Sequence, residues 1–335
     1  MKKNIIKLIF VVLLFAATLG LASCSAPYVP YAEIYATLPP YAESAGATTC
    51  SHSTKEVFSR DGESIRACTL CGYGDSKTHY YHTYDQMDGG MLGRYDTVIV
   101  KLNAEYNEKT VSVRSGINEV IFVGTEGQTL NNLKIKIEPR LSELTVSLSN
   151  VRITSDYTII DAASCEQKIT LKTYGADNNL TTKTGKAGED GTLATIVKNY
   201  TYQYYANSGT DGADAQDVIS VGGNIDVYAY APLAVNGGNG GMGGRGASHR
   251  SESIAYGIAN GGGNGGKGGN GADAISFVGV LNVAEGRENL TLTAGKGGSG
   301  GSGGSRYTGS GSSFYNYTDG YRGSDGTDGK TGLAE

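Results

Sequence analysis

Between residues 95 and 175 the chain is a series of short runs in which apolar, often β-branched residues alternate with polar ones. A period of two with this composition predicts half-buried strands. The runs lie at 97–102, 110–114, 119–123, 133–137, 144–148, 151–153, 158–160 and 169–171. No comparable helical stripe follows the N-terminal apolar segment, so we expect an all-β protein. Each run supplies one or two inward aliphatic residues before a bend, which favours a parallel β-solenoid over 95–184 and leaves a β-sandwich open.

Glycine at every third position marks three pairs of segments between 185 and 332. The outward legs are 185–191, 237–246 and 295–304, and the return legs are 209–212, 262–271 and 320–332. Three residues are the period of the polyproline-II-type helix, in which glycine lets neighbouring helices touch backbone to backbone. We expect polyglycine-II-type hairpins, bundled side by side, that lift their tips about 30 Å at ~3.1 Å per residue. Flexible Gly/Ser linkers are the alternative.

An internal repeat connects the glycine-rich region to the strands. The run that begins at Ile219 aligns with the run at Ile275, 56 residues later, and Leu233 aligns with Leu290 at a spacing of 57. Repeats of this length indicate stacked supersecondary units. Residues 185–335 are therefore expected to be further solenoid turns from which the glycine-rich hairpins are extruded.

The N-terminus has the pattern of an export signal. Three lysines accompany an apolar run from Leu8 to Phe15, which predicts a secretory signal peptide over residues 1–23. The run is shorter than the ~20 residues needed to span a bilayer, so a stop-transfer helix is the weaker alternative. The residues Leu-Ala-Ser-Cys that end at Cys24 resemble the lipobox of bacterial lipoproteins. That resemblance implies that Cys24 is lipidated and that the protein is anchored to a membrane of the bacterial cell envelope, facing outward.

Charge and composition restrict the partners. The 335 residues include 28 basic and 33 acidic side chains. Removing residues 1–23, which hold three lysines and no acidic residue, leaves 25 basic against 33 acidic groups, a net charge of −8. This balance argues against binding nucleic acid. Residues 24–49 are rich in proline and tyrosine and lack periodicity, which favours a semi-rigid tether behind the lipid.

Cysteine and histidine are concentrated between residues 50 and 84. Three thiolates and an imidazole within this stretch suit a tetrahedral zinc ion, and Cys-x-x-Cys-Gly is the turn that such sites use. The stretch also resembles the short zinc-ribbon-like repeats of Firmicutes surface proteins. Those repeats often carry one more cysteine, which leaves His52 or His79 to complete the coordination. The candidate zinc ligands are Cys50, His52, Cys68, Cys71 and His82.

Two other interpretations of the cysteines stay open. In an exported protein the alternative is a disulfide of Cys68 with Cys71 or with Cys50, although pairing alone does not explain the flanking histidines. A catalytic zinc is disfavoured because no His-Glu-x-x-His motif is present. Cys165 stands alone and is expected to be a small buried apolar residue.

The glycine-rich region also carries a resemblance. Residues 185–335 resemble the glycine-triplet sandwich of bacteriophage tail-fibre adhesins and the bundled legs of certain arthropod antifreeze proteins. In the phage adhesins the loops at the leg ends contact the host receptor, which implies binding at the tips, 192–208, 247–260 and 305–319. These tips are rich in tyrosine, serine and asparagine, as binding loops are. The candidate contact residues are Tyr200, Tyr202, Tyr204, Tyr205, Tyr256, Tyr307, Phe314, Tyr315 and Tyr317.

A glycan or a surface protein is the expected partner of these tips. The alternative is that the tyrosines merely cover the open ends of a glycine core. Residues 268–276 match one copy of the nonapeptide of calcium-binding β-rolls, but those sites need consecutive copies, so calcium is not expected. Asp214 and Asp273, in a shared Gly-Ala-Asp-Ala, are expected to accept hydrogen bonds from backbone amides.

Catalysis is the second class of function. Parallel β-helices can act as polysaccharide lyases or hydrolases, which need carboxylates paired on one face. Asp156, Asp161 and Asp177 are spaced carboxylates without an evident turn role, but none lies in a catalytic motif. We therefore expect a binding or adhesion protein and not an enzyme. A polysaccharide-degrading β-helix and a purely structural envelope protein are the alternatives.

Overall fold

The computed structural model describes residues 50–75, 77–198, 201–248, 257–259, 261–306 and 318–333. Two compact units are distinguished, Met1–Ser51 and His52–Glu335, and all of the strands given below lie in the second. Regular structure in the described residues consists of strands and three short 3-10 turns, Tyr84–Gln86, Ala104–Tyr106 and Arg287–Asn289. The all-β prediction is confirmed. Over the same residues, no helix has the length and apolar character needed to cross a membrane.

Parallel pairing organises most of the strands into three sheets. Sheet 1 has seven strands and sheets 2 and 3 have five each, and in each sheet the spatial order of the strands is their order along the chain. The strands of sheet 1 are β3 Thr78–Tyr81, β4 Thr97–Lys101, β6 Glu119–Val123, β9 Leu144–Ser149, β12 Ile169–Tyr174, β17 Ile225–Ala229 and β21 Leu281–Glu285. Those of sheet 2 are β5 Thr110–Val113, β8 Lys134–Ile137, β11 Ile160–Ala162, β16 Ile219–Val221 and β20 Ile275–Phe277. Those of sheet 3 are β7 Leu130–Asn131, β10 Arg152–Ser155, β13 Asn178–Thr182, β18 Leu233–Asn236 and β22 Leu290–Thr293.

From β5 onward the chain visits the three sheets in a fixed order. It passes through sheet 2, then sheet 1, then sheet 3, and it makes five such passes between β5 and β22. The register matches the sequence repeat, because Ile219 pairs with Ile275 and Leu233 pairs with Leu290. Each outward leg follows a strand of sheet 3, and the first two return legs lead into a strand of sheet 2.

One buried cluster takes residues from all three sheets. Val146 of sheet 1, Ile135 of sheet 2 and Ile153 of sheet 3 belong to it, and each is at most 1% exposed. The strands alternate as period-two patterning requires: β10 and β13 bury every second residue. Cys165 is part of this cluster, as expected for a small buried apolar residue.

A hairpin covers part of the outer face of sheet 1. Strands β1 (Thr54–Arg60) and β2 (Glu63–Cys68) pair antiparallel around a turn at Asp61 and Gly62, both with positive φ. Their apolar side chains form a second cluster with outward residues of sheet 1, made of Phe58, Ala67, Tyr80, Ile99, Ile121 and Tyr174. Arg60 forms an ion pair with Glu119 of β6 at the edge of this cluster.

Backbone hydrogen bonds connect the glycine-rich legs. In neighbouring outward legs, Gly240 N–H donates to the carbonyl of Lys296 at 2.8 Å and Gly243 N–H donates to that of Ser299 at 2.9 Å. Outward and return legs are joined in the same way, for example by the 2.8 Å bond from Gly266 N–H to the Gly244 carbonyl. The contact is so close that a Cβ at Gly243 would overlap the carbonyl oxygen of Gly266. Glycine is therefore required there for close approach of two backbones.

Candidate metal centre and tip loops

The hairpin brings together the two ends of the Cys/His segment. Because Thr54 of β1 pairs with Cys68 of β2, the residues that precede β1 lie beside the end of β2. The chain then turns tightly: Gly72 N–H donates to the Cys68 carbonyl, and Cys68 N–H donates to the Tyr73 carbonyl, both at 2.8 Å. Gly72 has φ +80°, a conformation that favours glycine, and a Cβ there would overlap the Tyr80 carbonyl.

Four potential ligand atoms converge at this turn. One atom each from Cys50, His52, Cys68 and Cys71 lies within 4.8 Å of the other three. Two sulfur ligands of one tetrahedral zinc ion lie about 3.8 Å apart, since Zn–S bonds are about 2.3 Å. His52 Nδ1 lies 3.2 Å from Cys71 Sγ. Three thiols and an imidazole in this arrangement could bind a metal ion such as zinc.

The four candidate ligands differ in their burial and in their contacts with neighbouring residues. Cys68 is buried, Cys50 and Cys71 are half-buried and His52 is exposed. The Tyr73 ring packs against the His52 imidazole with 4.6 Å between ring centroids. His52 has φ 49°, which is uncommon outside glycine. The four side chains therefore lie close enough together for one metal ion to be bound by all of them.

The other two histidines near this segment take different positions. The His79 ring stacks on Tyr95 at 4.6 Å and 9°, and burial lowers its pKa to about 4, so the imidazole is neutral at neutral pH. The His82 amide donates to Gln86 Oε1 at 2.9 Å, and the His82 ring Nε2 lies 3.4 Å from Gln86 Nε2. Neither histidine belongs to the converging group, so the structure brings together four of the five candidate ligands and not His82.

The three carboxylates considered for catalysis are each in an ion pair. Asp156 accepts from Lys183 Nζ at 2.9 Å, and Asp161 accepts from Lys134 Nζ at 2.7 Å. Asp177 accepts from Arg152 Nη1 at 3.0 Å. Each carboxylate therefore has a cationic partner on a nearby strand, turn or loop.

Backbone pairing connects two of the three predicted tips. Strands β14 (Leu193–Lys198) and β15 (Thr201–Ala206) form an antiparallel hairpin in the first tip. Strand β19 (Gly257–Ala259) of the second tip pairs in parallel with β15, with Tyr202 opposite Gly257 and Tyr204 opposite Ala259. Three candidate contact residues, Tyr202, Tyr204 and Tyr205, lie in β15. The other candidates, Tyr200, Tyr256, Tyr307, Phe314, Tyr315 and Tyr317, lie outside the described residues, as does Cys24.

Comparison with known proteins identifies no relative: no protein-family model, curated protein or solved structure matches this chain. Functional assignment therefore depends on the residues and contacts of the chain itself.

Proposed function

We propose that this chain is a lipid-anchored surface protein of the bacterial envelope that binds a glycan or a surface protein through tyrosine-rich loops. In this proposal the three parallel sheets are the faces of a β-solenoid. Glycine-rich hairpins leave one corner of the solenoid, pack as a bundle, and carry the loops at their ends. The Cys/His segment holds a structural zinc ion near the first turns.

The order of the strands supports the solenoid. A chain that passes through sheets 2, 1 and 3 in the same order, turn after turn, with parallel neighbours in each sheet, advances along a coil. A β-sandwich is built from antiparallel sheets, so the parallel pairing disfavours it. All three outward legs depart after a strand of sheet 3, and the first two pairs of legs lie between sheet 3 and sheet 2, which is one corner of such a coil.

The pairing of β15 with β19 is the observation that best supports the proposal that the legs hold the tips in place. These strands belong to different hairpins, yet they form one sheet. A flexible linker would not hold two tips in a common hydrogen-bonding register. Tyrosines on such a support lose little conformational entropy when they contact a partner, which is the property that makes tyrosine common in binding loops.

A structural metal ion is the role that the Cys/His group supports best. Three thiolates and one imidazole give four protein ligands, which fill a tetrahedral zinc site and leave no position for a catalytic water. The ligands lie before β1, at the end of β2 and in the turn before β3. Zinc bound there would tie the base of the hairpin to the first strand of sheet 1.

The binding proposal is tested with the full chain carrying Cys24→Ser, which releases it from the membrane. A glycan array and a capture assay against cell-surface proteins should identify a partner of this chain. Changing Tyr202 and Tyr204 together to Ser should weaken that binding by about tenfold or more, equivalent to about 1.4 kcal/mol. Tyr157→Ser is the matched control, because Tyr157 is 56% exposed and lies between β10 and β11, outside the legs and the tips. Equal loss in both variants, or unchanged binding in the tip variant, would contradict the proposal.

The anchoring proposal has its own test. Cells that express the wild-type chain should incorporate a fatty-acid analogue into it, and the Cys24→Ser variant should not be labelled. Labelling that persists in this variant would show that Cys24 is not the anchor.

A further inference from the structure

Beyond the hairpin, the outer face of sheet 1 continues without cover from the described residues. Tyr174 of β12 belongs to the cluster that the hairpin covers and is 8% exposed, and Ser149 of the neighbouring β9 is 6% exposed. The register then carries the same face onto β17 and β21: Lys172 pairs with Tyr228, and Tyr228 pairs with Glu285. These outward residues are half-buried or exposed.

Aromatic rings run from the covered part of this face into the open part. Phe58 of the hairpin meets Tyr174 edge to face at 5.5 Å. Tyr174 is 5.5 Å from Tyr230, and Tyr230 is 6.1 Å from Tyr228, with interplanar angles of 33° and 35°. Tyr230 is 39% exposed. Tyr228 and Tyr230 thus form a shallow aromatic surface whose inner edge is fixed by the hairpin.

Charged groups surround the two open rings. Lys172 Nζ lies 5.8 Å from the centroid of the Tyr228 ring. Asp226 accepts from Asn282 at 3.2 Å and forms an ion pair with Lys168 at 3.5 Å. The pKa of Tyr230 is raised, first by burial and then by the carboxylates of Glu285 and Asp61. The phenol therefore stays protonated at neutral pH. Around the two rings the carboxylates of Asp61, Asp226 and Glu285 outnumber the ammonium groups of Lys168 and Lys172.

We propose that Tyr228 and Tyr230, with Lys172, Asp226 and Glu285, form a second binding site that takes an uncharged glycan. The face of an aromatic ring is electron-rich, so it favours the weakly positive C–H groups on one side of a sugar ring. Carboxylates and an ammonium group at the rim can hydrogen-bond to sugar hydroxyls. The excess of carboxylates opposes an acidic polysaccharide.

The position of this surface disfavours other occupants. A peptide that adds a strand needs an open sheet edge. Here Tyr228 is on β17, which is already paired on both sides, with β12 and β21. A peptide held by its side chains needs deep apolar pockets, and this surface is shallow and rimmed by charge. The site is independent of the tips, because no leg or tip residue contributes to it.

The test uses the full chain with Cys24→Ser and affinity electrophoresis in gels that contain a soluble polysaccharide. The probes are two neutral polymers, a mixed-linkage β-glucan and a galactomannan, and one acidic polymer, polygalacturonate. At least one neutral polymer should retard the protein, and polygalacturonate should not. Tyr228→Ala and Tyr230→Ala should each weaken retardation about tenfold, which corresponds to about 1.4 kcal/mol. Tyr157→Ala, the matched control, should be retarded like the parent.

Further variants separate this site from the tips. Tyr230→Phe keeps the ring and removes the hydroxyl, so it should retain most of the binding and show that the fold is intact. The double change of Tyr202 and Tyr204 to Ser should leave retardation by the neutral polymer unchanged. Three outcomes overturn the proposal: no retardation by either neutral polymer, retardation that the tip variant abolishes, or equal retardation by polygalacturonate. Self-association that disappears in Tyr230→Ala would assign the surface to a second copy of the chain.

Discussion

The side chain of Asp214 accepts a 2.6 Å hydrogen bond from the backbone N–H of Asn270, 56 residues later in the chain. Asn270 in turn accepts from the N–H of Thr327 at 3.0 Å. Asp217, Asp273 and Lys330 form a second series of the same kind. Side chains at the end of one return leg and just beyond it therefore accept hydrogen bonds from amides of the corresponding segment in the next repeat. The prediction that Asp214 and Asp273 bond backbone amides is confirmed.

Removing one such acceptor should cost a measurable amount of stability. Asp214→Ala leaves the Asn270 amide without its protein partner, and we expect a loss of about 0.5–1.5 kcal/mol in the free energy of unfolding. Asp214→Asn keeps an acceptor oxygen in place and should lose less. Urea unfolding measures the difference, and hydrogen exchange at the Asn270 amide localises it. Equal stability of the two variants would show that the bond contributes nothing.

Valine at an interior glycine should disrupt the packing of the legs. A Cβ at Gly243 or Gly300 would overlap the carbonyl oxygen of Gly266 or Gly323, so Gly243→Val and Gly300→Val should destabilise by about 1–3 kcal/mol or more. Met242→Val and Ser299→Val are the matched controls, since both side chains are exposed. Thermal unfolding and protease resistance compare the four variants. If all four behaved alike, ordered packing of the legs would be wrong.

Zinc should be bound at the Cys/His group in about one equivalent per chain. Cys71→Ser should lose the metal, and both this variant and chelator treatment should expose the hairpin β1–β2 to protease. Cys165→Ser changes a buried cysteine outside the group and should keep full metal content. Metal analysis and limited proteolysis are the measurements. A metal-free wild-type chain with a quantitative disulfide would support the alternative pairing.

Asp217 should make stability fall as pH rises above the usual carboxyl range. Burial raises the pKa of Asp217 above its usual 3.8, so the folded state holds the proton more tightly than the unfolded state does. The stabilisation is complete below the unfolded pKa and is lost as pH rises through the folded pKa. Asp217→Asn should remove this fall while it keeps an acceptor for the Asp273 amide.

A carboxylate with the opposite shift provides the control for this experiment. The pKa of Asp156 is lowered by hydrogen bonds from Lys183 and Asn132. Its contribution is therefore present above the unfolded pKa and is lost as pH falls, so Asp156→Asn should lower stability at neutral pH and not in acid. Unfolding midpoints between pH 3 and pH 8 would show the two opposite slopes. Parallel pH profiles for the two variants would contradict the assignment.

Much of the strand pattern could be predicted from the sequence. The alternating run at 119–123 coincides with β6, and the repeat offsets of 56 and 57 are the register of β16 with β20 and of β18 with β22. These predictions succeed because the alternation of apolar and polar residues and the internal repeat are both visible in the sequence itself. Strand β13 was not predicted, since Asn178–Thr182 contains one apolar residue, Leu180, and its pairing comes from the neighbouring strands.

The position of the hairpin β1–β2 and the exact set of metal ligands were harder to predict from the sequence. Asp61-Gly62 between two alternating runs is a recognised hairpin signal, and it could have located β1 and β2. Nothing in the sequence indicates that this hairpin covers sheet 1, because that depends on outward residues of distant strands, such as Ile121. His82 has a plausible spacing from the cysteines, yet its place after β3 and beside Gln86 keeps it out of the converging group.

The third outward leg, 295–304, forms different hydrogen bonds from the second, 237–246. Gly240 and Gly243 donate to carbonyls of the following outward leg, whereas Gly297 and Gly300, their equivalents one repeat later, donate to the carboxylates of Asp328 and Asp325 at 2.7 and 2.8 Å. The amide groups that pair with a neighbouring outward leg in the second leg are thus satisfied here by side chains of the third return leg. Repetitive backbone surfaces are templates for uncontrolled addition of further chains. By accepting from these two amides, Asp328 and Asp325 protect this side of the third outward leg against such pairing.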